Sequence, residues 1–238
     1  MNKLFLRFSI VITVTISLFL ASCNDCLEGN GKQAVRSAKF AEITSIDLSV
    51  GADVKLVDDS TGTVKIEGES NIINDIELTL SGTSLRITSL HCLAATKPIT
   101  ISIPMQNISK LELAGSGSIK SENKMTANDL NLEILGSGDI ELEVDAANVW
   151  SKVAGSGNII LKGTSKRHKI EIEGSGNVEA EIFPTPDVSV EIDGSGDCKV
   201  LAINALSVSI NGSGSVYYSG SPDISSDIKG SGSLEKIK

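Results

Sequence analysis

The chain has 238 residues, of which 40% are hydrophobic, 21% are charged and only 3% are aromatic, and its net charge is −9. This acidic balance argues against nucleic acid as a partner, because nucleic-acid binding needs a basic surface. The low aromatic content argues against the wide aromatic platforms that carbohydrate-binding proteins often expose.

The N-terminal segment has the pattern of a lipoprotein signal. Lys3 and Arg7 precede an apolar run over residues 8–19, and the sequence Leu-Ala-Ser-Cys then ends at Cys23. The run is too short to favour a membrane-spanning helix. We therefore expect residues 1–22 to be a signal peptide and Cys23 to carry the lipid, so that the membrane is a partner through this anchor.

Residues 23–39 follow the signal as an expected polar tether between the lipid and the fold. Loss of the two basic residues of the signal takes the net charge from −9 to −11. Asn24, Asp25 and Glu28 partly resemble the acidic surface-export signal of some Bacteroidetes lipoproteins. The predicted location is the bacterial cell envelope, at the outer membrane and with surface exposure as the favoured case.

Three further cysteines, Cys26, Cys92 and Cys198, would lie in an oxidising compartment. One disulfide with a buried thiol and three free thiols are both compatible with this number. Cys23 and Cys26 have the spacing of a metal or redox pair, but lipid would already occupy the first thiol. We therefore expect no metal site and no cofactor.

Residues 40–105 alternate between apolar and polar side chains, with turns at Gly51 and Gly82. The pattern predicts short strands that form N-terminal coils and a β cap. One short helix is predicted over residues 69–75, where it would cover an open end of the fold.

A Gly-Ser-Gly triplet recurs seven times in residues 106–238, at intervals of 18 to 21 residues. The triplets begin at Gly115, Gly136, Gly155, Gly174, Gly194, Gly212 and Gly230 and end at Gly117, Gly138, Gly157, Gly176, Gly196, Gly214 and Gly232. Each interval reads as a strand, a corner and another strand. The sequence thus predicts an all-β fold in which residues 40–238 form one parallel β-helix, or β-solenoid, with seven Gly-Ser-Gly coils.

Alignment on the central serine shows aliphatic columns five and three residues before it and three residues after it, with polar residues between them. We expect the columns to face inward and the polar residues to face solvent. Glycine is expected at the corners for its access to positive φ. The serines are expected to bond from coil to coil in a ladder along the axis.

Few residues suggest catalysis. His91 and His168 are the only histidines, and His168 is expected in a solvated charged loop. Two carboxylate pairs, Glu112 with Glu133 and Glu171 with Glu191, should stack in neighbouring coils. Such a pair could support acid–base chemistry in a groove where a basic residue joins it, but an acidic solvent face is the favoured interpretation.

Two aspartates and three aromatic residues bear on calcium and carbohydrate binding. Asp139 and Asp197 follow corners in a faint likeness to calcium-binding β-rolls, but the other corners lack the aspartate. Of the notable aromatic residues, Tyr218 should point inward and Tyr217 outward. Trp150 is expected to pack on the core or a coil edge.

Residues 46–56 (IDLSVGADVKL), 63–87 and 99–118, followed by the serial corners, resemble the auto-transporter adhesin head domain family of Bacteroidetes lipoproteins. The resemblance covers nearly all of residues 40–238. It implies a right-handed, single-stranded parallel β-helix and an adhesin-like role, and it carries over no catalytic residue.

The sequence therefore favours a non-enzymatic envelope lipoprotein whose repetitive surface serves adhesion or interaction with an unknown protein or glycan. Two alternatives stay open: a β-helix that binds or cleaves polysaccharide, and a scaffold that assembles end to end. The oligomeric state is not predicted.

Overall fold

Stacked β-strands form almost all of the protein. The computed structural model describes residues 26–237 as an all-β solenoid of about seven turns, which confirms the predicted fold class. Within this part of the chain no helix is long and apolar enough to cross a membrane.

Residues 26–105 form nine strands and one short helix. These are β1 (Leu27–Glu28), β2 (Gln33–Lys39), β3 (Ser45–Leu48), β4 (Asp53–Val57), β5 (Thr63–Glu69), α1 (Ser70–Asp75), β6 (Ile76–Ser81), β7 (Ser84–Ser89), β8 (Leu93–Ala94) and β9 (Thr100–Pro104). The helix lies within the predicted range.

The first coil of the solenoid is built from β3 and β4. Towards the repeats, this coil pairs in parallel with Lys110–Leu113 and Ser118–Ser121. On its other side β3 pairs with β7 and β4 pairs with β9, also in parallel. The chain therefore leaves the first coil, builds the N-terminal end of the solenoid from β5 to β9, and returns to continue the stack.

The N-terminal end is closed by antiparallel strands and by α1. Strand β5 pairs with β9, β2 pairs with β5, and β6 forms a hairpin with β7. Ile72 and Ile73 of α1 are 0% and 1% exposed and fill the interior at this end. The expectation of a polar tether up to residue 39 is wrong, because Gln33–Lys39 is a strand of the cap whose backbone groups bond to β5.

The segment before β2 is also fixed to the cap. A disulfide joins Cys26 to Cys92, and β1 pairs with β8 beside it. Glu69, which is fully buried, accepts hydrogen bonds from the backbone of Gly31 (2.5 Å) and Thr96 (2.7 Å). Burial raises the pKa of Glu69, but these and further hydrogen bonds from Thr96 and Lys97 outweigh it and hold the pKa below its usual range. Residues 26–39 thus belong to the domain, which extends beyond the predicted start at residue 40.

The remaining chain forms the Gly-Ser-Gly coils. Its strands are β10 (Lys110–Leu113), β11 (Ser118–Ser121), β12 (Met125–Ile134), β13 (Asp139–Val153), β14 (Asn158–Ile172), β15 (Asn177–Gly194), β16 (Cys198–Gly212), β17 (Ser215–Gly220), β18 (Asp223–Gly230) and β19 (Ser233–Lys236). Each pairs in parallel with the equivalent strand of a neighbouring coil, as between β13 and β14. The register keeps equivalent residues in line, so each sequence column becomes a row on one face.

The aliphatic columns form the core. In the first six repeats every residue of the three columns is buried, including Ser151 and the free thiol Cys198. Burial raises the pKa of the Cys198 thiol. In the last coil the corresponding Ile228 is 39% exposed, because β18 and β19 have strand partners on one side only.

The corners need glycine chiefly because stacked backbones approach closely. Positive φ occurs at Gly194, Gly212 and Gly230, and at none of the other corner glycines. At Gly157 a Cβ atom would overlap the carbonyl oxygen of Gly138 in the coil before it. The expectation that positive φ explains all the corners is wrong, since steric exclusion between coils is the general cause.

Two ladders run along the axis at the corners. From the second triplet on, each central serine donates its backbone N–H to the first glycine of the preceding triplet, as from Ser156 to Gly136 (3.0 Å). The residue after each triplet forms the second ladder. Asn177 donates its side-chain amide to Asn158 (2.9 Å), and Ser215 donates its backbone N–H to Asp197 (2.8 Å). The central serines are exposed, and their hydroxyl groups make no hydrogen bond within residues 26–237. The predicted serine ladder is therefore present, but it uses the backbone N–H groups of the serines and not their hydroxyl groups.

Candidate functional site

The outer face before the corners carries a row of stacked charges. Glu112 lies beside Glu133, and Glu171 lies beside Glu191, which confirms both predicted pairs. Lys110 donates a hydrogen bond to Glu112 (2.7 Å) and lies 3.9 Å from Glu133. The hydrogen bond to Glu112 raises the pKa of Lys110 above its usual range. Interleaved lysines thus offset the repulsion that stacked carboxylates would otherwise cause.

A second charged surface lies after the corners, where a groove of about 490 Å³ opens on the outer face. Lys120 and Lys162, from the coils on either side, approach Glu141 to 3.3 and 3.0 Å. The hydrogen bond from Lys162, followed by that from Lys120, lowers the pKa of Glu141. This groove was not predicted from the sequence, although the residues directly after the inward column that follows each corner include Lys120 and Glu141.

Carboxylates and lysines therefore converge in grooves, as a polysaccharide-cleaving site would require. A general acid needs a raised pKa to hold its proton at neutral pH. The ion pairs of Glu141 have the opposite effect, because they favour its charged form. This groove is better suited to binding polar groups than to donating a proton.

The interior contains a serine–histidine contact. The Oγ atom of Ser151 and the Nε2 atom of His168 lie 2.8 Å apart, and His168 also packs edge-on against Phe183. His168 is only 2% exposed, so the expectation of a solvated loop is wrong. The sequence does carry a signal for this, because residues two apart in a strand face the same side and His168 lies two residues before the inward Ile170. Burial lowers the pKa of His168 to about 3. Because both side chains are buried, a substrate has no path to them, and the contact contributes to core packing.

The remaining sites considered from the sequence have structural roles. Asp139 and Asp197 accept hydrogen bonds within the axial ladder. His91 contacts the buried carboxylate of Asp75 through Nδ1 at 2.6 Å, in the cap. Across residues 26–237 no three His, Cys, Asp or Glu side chains are arranged to hold a metal ion. Cys23 lies outside the described residues.

Trp150 differs from the prediction. It points outward from β13 and is 39% exposed, so it is not a core residue. Its neighbours in line are Asn131 of the preceding coil and Lys169 of the following coil. Tyr218 packs partly against the core, as predicted.

The family model described as "Putative auto-transporter adhesin, head GIN domain" matches residues 42–222. The chain belongs to this family. No protein of curated function gives a significant match.

Several solved structures share the fold of this head domain. A "putative adhesin" from Bacteroides fragilis is 24% identical, with 89% of this chain and 100% of that chain covered and a TM-score of 0.81. A "putative lipid binding protein" from Parabacteroides distasonis is 27% identical, with 89% and 99% covered and a TM-score of 0.75. A "putative adhesin" from Parabacteroides merdae is 16% identical, with 90% and 100% covered and a TM-score of 0.73.

The head-domain match contains most of the surfaces described above. It includes the first six corners, the row of stacked charges before the corners, the charged groove after them and Trp150. It ends before β18. This family match confirms the resemblance seen in the sequence.

Proposed function

We propose that the protein is a non-enzymatic adhesin head, held in the cell envelope by lipid on Cys23, that binds its partners through the outer face of the solenoid. The observation that carries this proposal is the match of the adhesin head family to residues 42–222. The dense aliphatic interior supports it, because binding chemistry is then confined to the outside. The same filled interior favours adhesion over the lipid binding named for one structural neighbour.

The cap defines which end would face the membrane. Only Asn24 and Asp25 separate Cys23 from Cys26, and the disulfide fixes Cys26 to the loop that carries Cys92. A lipid on Cys23 would therefore hold the closed end at the bilayer. About seven turns at a spacing of ~4.8 Å place the far end roughly 30–35 Å away. The row of stacked charges, the charged groove and Trp150 would then lie along the side.

We expect Cys23→Ala to release the protein from the membrane fraction, because the acylated thiol is the proposed anchor. Ser22→Ala, which keeps a small residue before the cysteine, should leave the protein anchored. Protease added to intact cells should digest the wild-type protein, as measured by immunoblot with a periplasmic marker as the protected control. A membrane-bound Cys23→Ala protein would contradict the anchor.

Adhesion itself is tested by comparing cells with and without the gene on mucin-coated surfaces. Loss of the gene should lower attachment, and the wild-type gene should restore it. Equal attachment would contradict the adhesin role. Cleavage of a polysaccharide by the purified protein, with loss on Glu133→Gln, would favour the enzymatic alternative instead.

A scaffold formed by self-association is a second candidate, and the far end of the solenoid favours it. Strands β18 and β19 each have one unpaired edge within the described residues, and Ile224 is 45% exposed there. Because Ile72 and Ile73 fill the opposite end, an association through the ends of the solenoid would join the two open ends. This geometry gives a closed dimer instead of the end-to-end stack considered from the sequence.

The scaffold candidate predicts a dimer of the Cys23→Ala protein in sedimentation experiments across the micromolar range. Ile228→Lys should convert it to a monomer, because the charge would enter the joined interior. Ile203→Lys is the matched control, since Ile203 is 48% exposed on the side of the solenoid. A monomer at every concentration would rule this candidate out.

A further inference from the structure

Trp150 is the single tryptophan of the chain, and it lies on the solvent side of the solenoid. In β13 its neighbours Val149 and Ser151 point inward and are buried, so alternation along the strand directs the indole outward. No hydrogen-bond partner of the indole N–H is found within residues 26–237. A large aromatic group is thus held on a rigid sheet with its polar atom available.

A cavity of about 180 Å³ adjoins the indole ring. Its lining comprises Lys110, Asn131, Leu132, Glu133, Trp150 and Lys152. Lys169 lies over the ring from the following coil, with Nζ 5.9 Å from the ring centroid. Four of the six lining residues come from the two preceding coils, whereas Lys169 belongs to the following coil and does not line the cavity.

The rim of the cavity offers both donors and acceptors. Glu133 meets Lys110 only at 3.9 Å, and its side chain is 27% exposed. Lys152 is held by Glu173 at 2.9 Å, and that hydrogen bond raises the pKa of Lys152. The amide of Asn131 has no side-chain hydrogen bond among the described residues. Charges of both signs therefore surround the aromatic surface.

We propose that this cavity, the Trp150 subsite, binds one neutral sugar ring of a glycan. The apolar C–H face of a pyranose can stack on an indole, whose π face carries partial negative charge. Its hydroxyl groups both donate and accept, which suits a rim that contains carboxylate, ammonium and amide groups. The cavity is smaller than the sites of drug-sized ligands, as is appropriate for one ring.

The balance of charge favours a neutral sugar over an acidic one. Glu133 and the neighbouring Glu112 would repel a uronate, while Lys110 and Lys152 are already engaged with carboxylates. This inference rests on the proposed adhesin function, since it names the chemical class of the partner and the place where it is held.

The single tryptophan makes its own fluorescence the probe of the subsite. Cellohexaose, maltohexaose and mannohexaose are titrated into the Cys23→Ala protein, with hexagalacturonate as the acidic comparison. We expect at least one neutral probe to shift or quench the emission with saturation, and to give heat in calorimetry. Trp150→Ala should weaken that binding at least about tenfold, and Trp150→Phe should weaken it less.

Matched variants separate the subsite from the fold. Trp150→Ala should keep the wild-type melting temperature within about 2 °C, because the side chain is at the surface. Glu133→Gln should also weaken binding, whereas Tyr217→Ala, on the other side of the corner, should not. Absence of binding by every neutral probe at millimolar concentration overturns the proposal, as do unchanged affinity in Trp150→Ala and tighter binding of the acidic probe.

The cell assay distinguishes this inference from the proposed function. If deletion of the gene lowers attachment but Trp150→Ala cells attach like the wild type, the adhesin role stands and the subsite is wrong. If deletion has no effect on attachment, the adhesin role fails, and the titrations still decide whether the subsite binds sugar.

Discussion

Gly157→Val is expected to lower the melting temperature by about 10 °C, which corresponds to a loss of about 3 kcal/mol or more in the free energy of unfolding. Gly157 is the second glycine of a central corner, and its Cα faces the carbonyl oxygen of Gly138. Any Cβ atom there would overlap that oxygen and approach Ile134. The coils would have to separate, which would lengthen hydrogen bonds on both sides of the corner.

The adjacent serine provides the control for this experiment. Ser156 is exposed, and its hydroxyl makes no hydrogen bond among residues 26–237. Ser156→Ala should therefore change the melting temperature by less than about 2 °C, as measured by circular dichroism. Similar melting temperatures for Gly157→Val and Ser156→Ala would refute the steric explanation of the corners.

Stability is expected to fall by about 2 to 3 kcal/mol between pH 7 and pH 4.5 on account of His168 alone, and by about 4 kcal/mol by pH 3. In the unfolded chain His168 takes up a proton below about pH 6.5, whereas in the folded protein burial holds its pKa at about 3. Acid therefore favours the unfolded state across this window. Urea unfolding at a series of pH values measures the slope.

A double variant isolates the contribution of this histidine. Ser151→Ala with His168→Leu replaces both hydrogen-bonding partners by apolar groups, so neither is left buried without a partner. Carboxylates such as Glu69, whose pKa is lowered in the fold, also reduce stability in acid and act in both proteins. The difference between the two pH profiles reports His168. Parallel profiles would show that His168 is not held neutral in the folded protein.

The repeats were predictable because a solenoid uses one local rule many times. Residues three before each central serine, such as Ile134 and Val153, recur at the same phase, and in the first six repeats the structure buries them almost completely. The pairs Glu112 with Glu133 and Glu171 with Glu191 followed from the same counting, since coils of similar length bring equivalent residues into register. Family membership was recognisable from the same segments.

The cap was less predictable because its contacts join residues that are distant along the chain. The pairing of β2 with β5 and the burial of Glu69 by Gly31 and Thr96 depend on how the chain folds back over the first coil. Three cysteines allowed several states, and proximity of Cys26 to Cys92 selected one disulfide. No periodic signal marks such contacts.

The sequence by itself determined the strand pattern, the inward columns, the corners and the family, because all of these follow from spacing along the chain. Only the tertiary structure decided what the corners and outer faces do. Stacking at backbone distance explains why both glycines of a corner are required. It also gives the corner two ladders, one from the serine backbone and one from the residue after the triplet. It also directs the side chain of His168 into the core. On the outer face, it brings Lys110, Glu133 and Trp150 from successive coils to one cavity. These relations depend on distances between coils, which are set by packing in three dimensions.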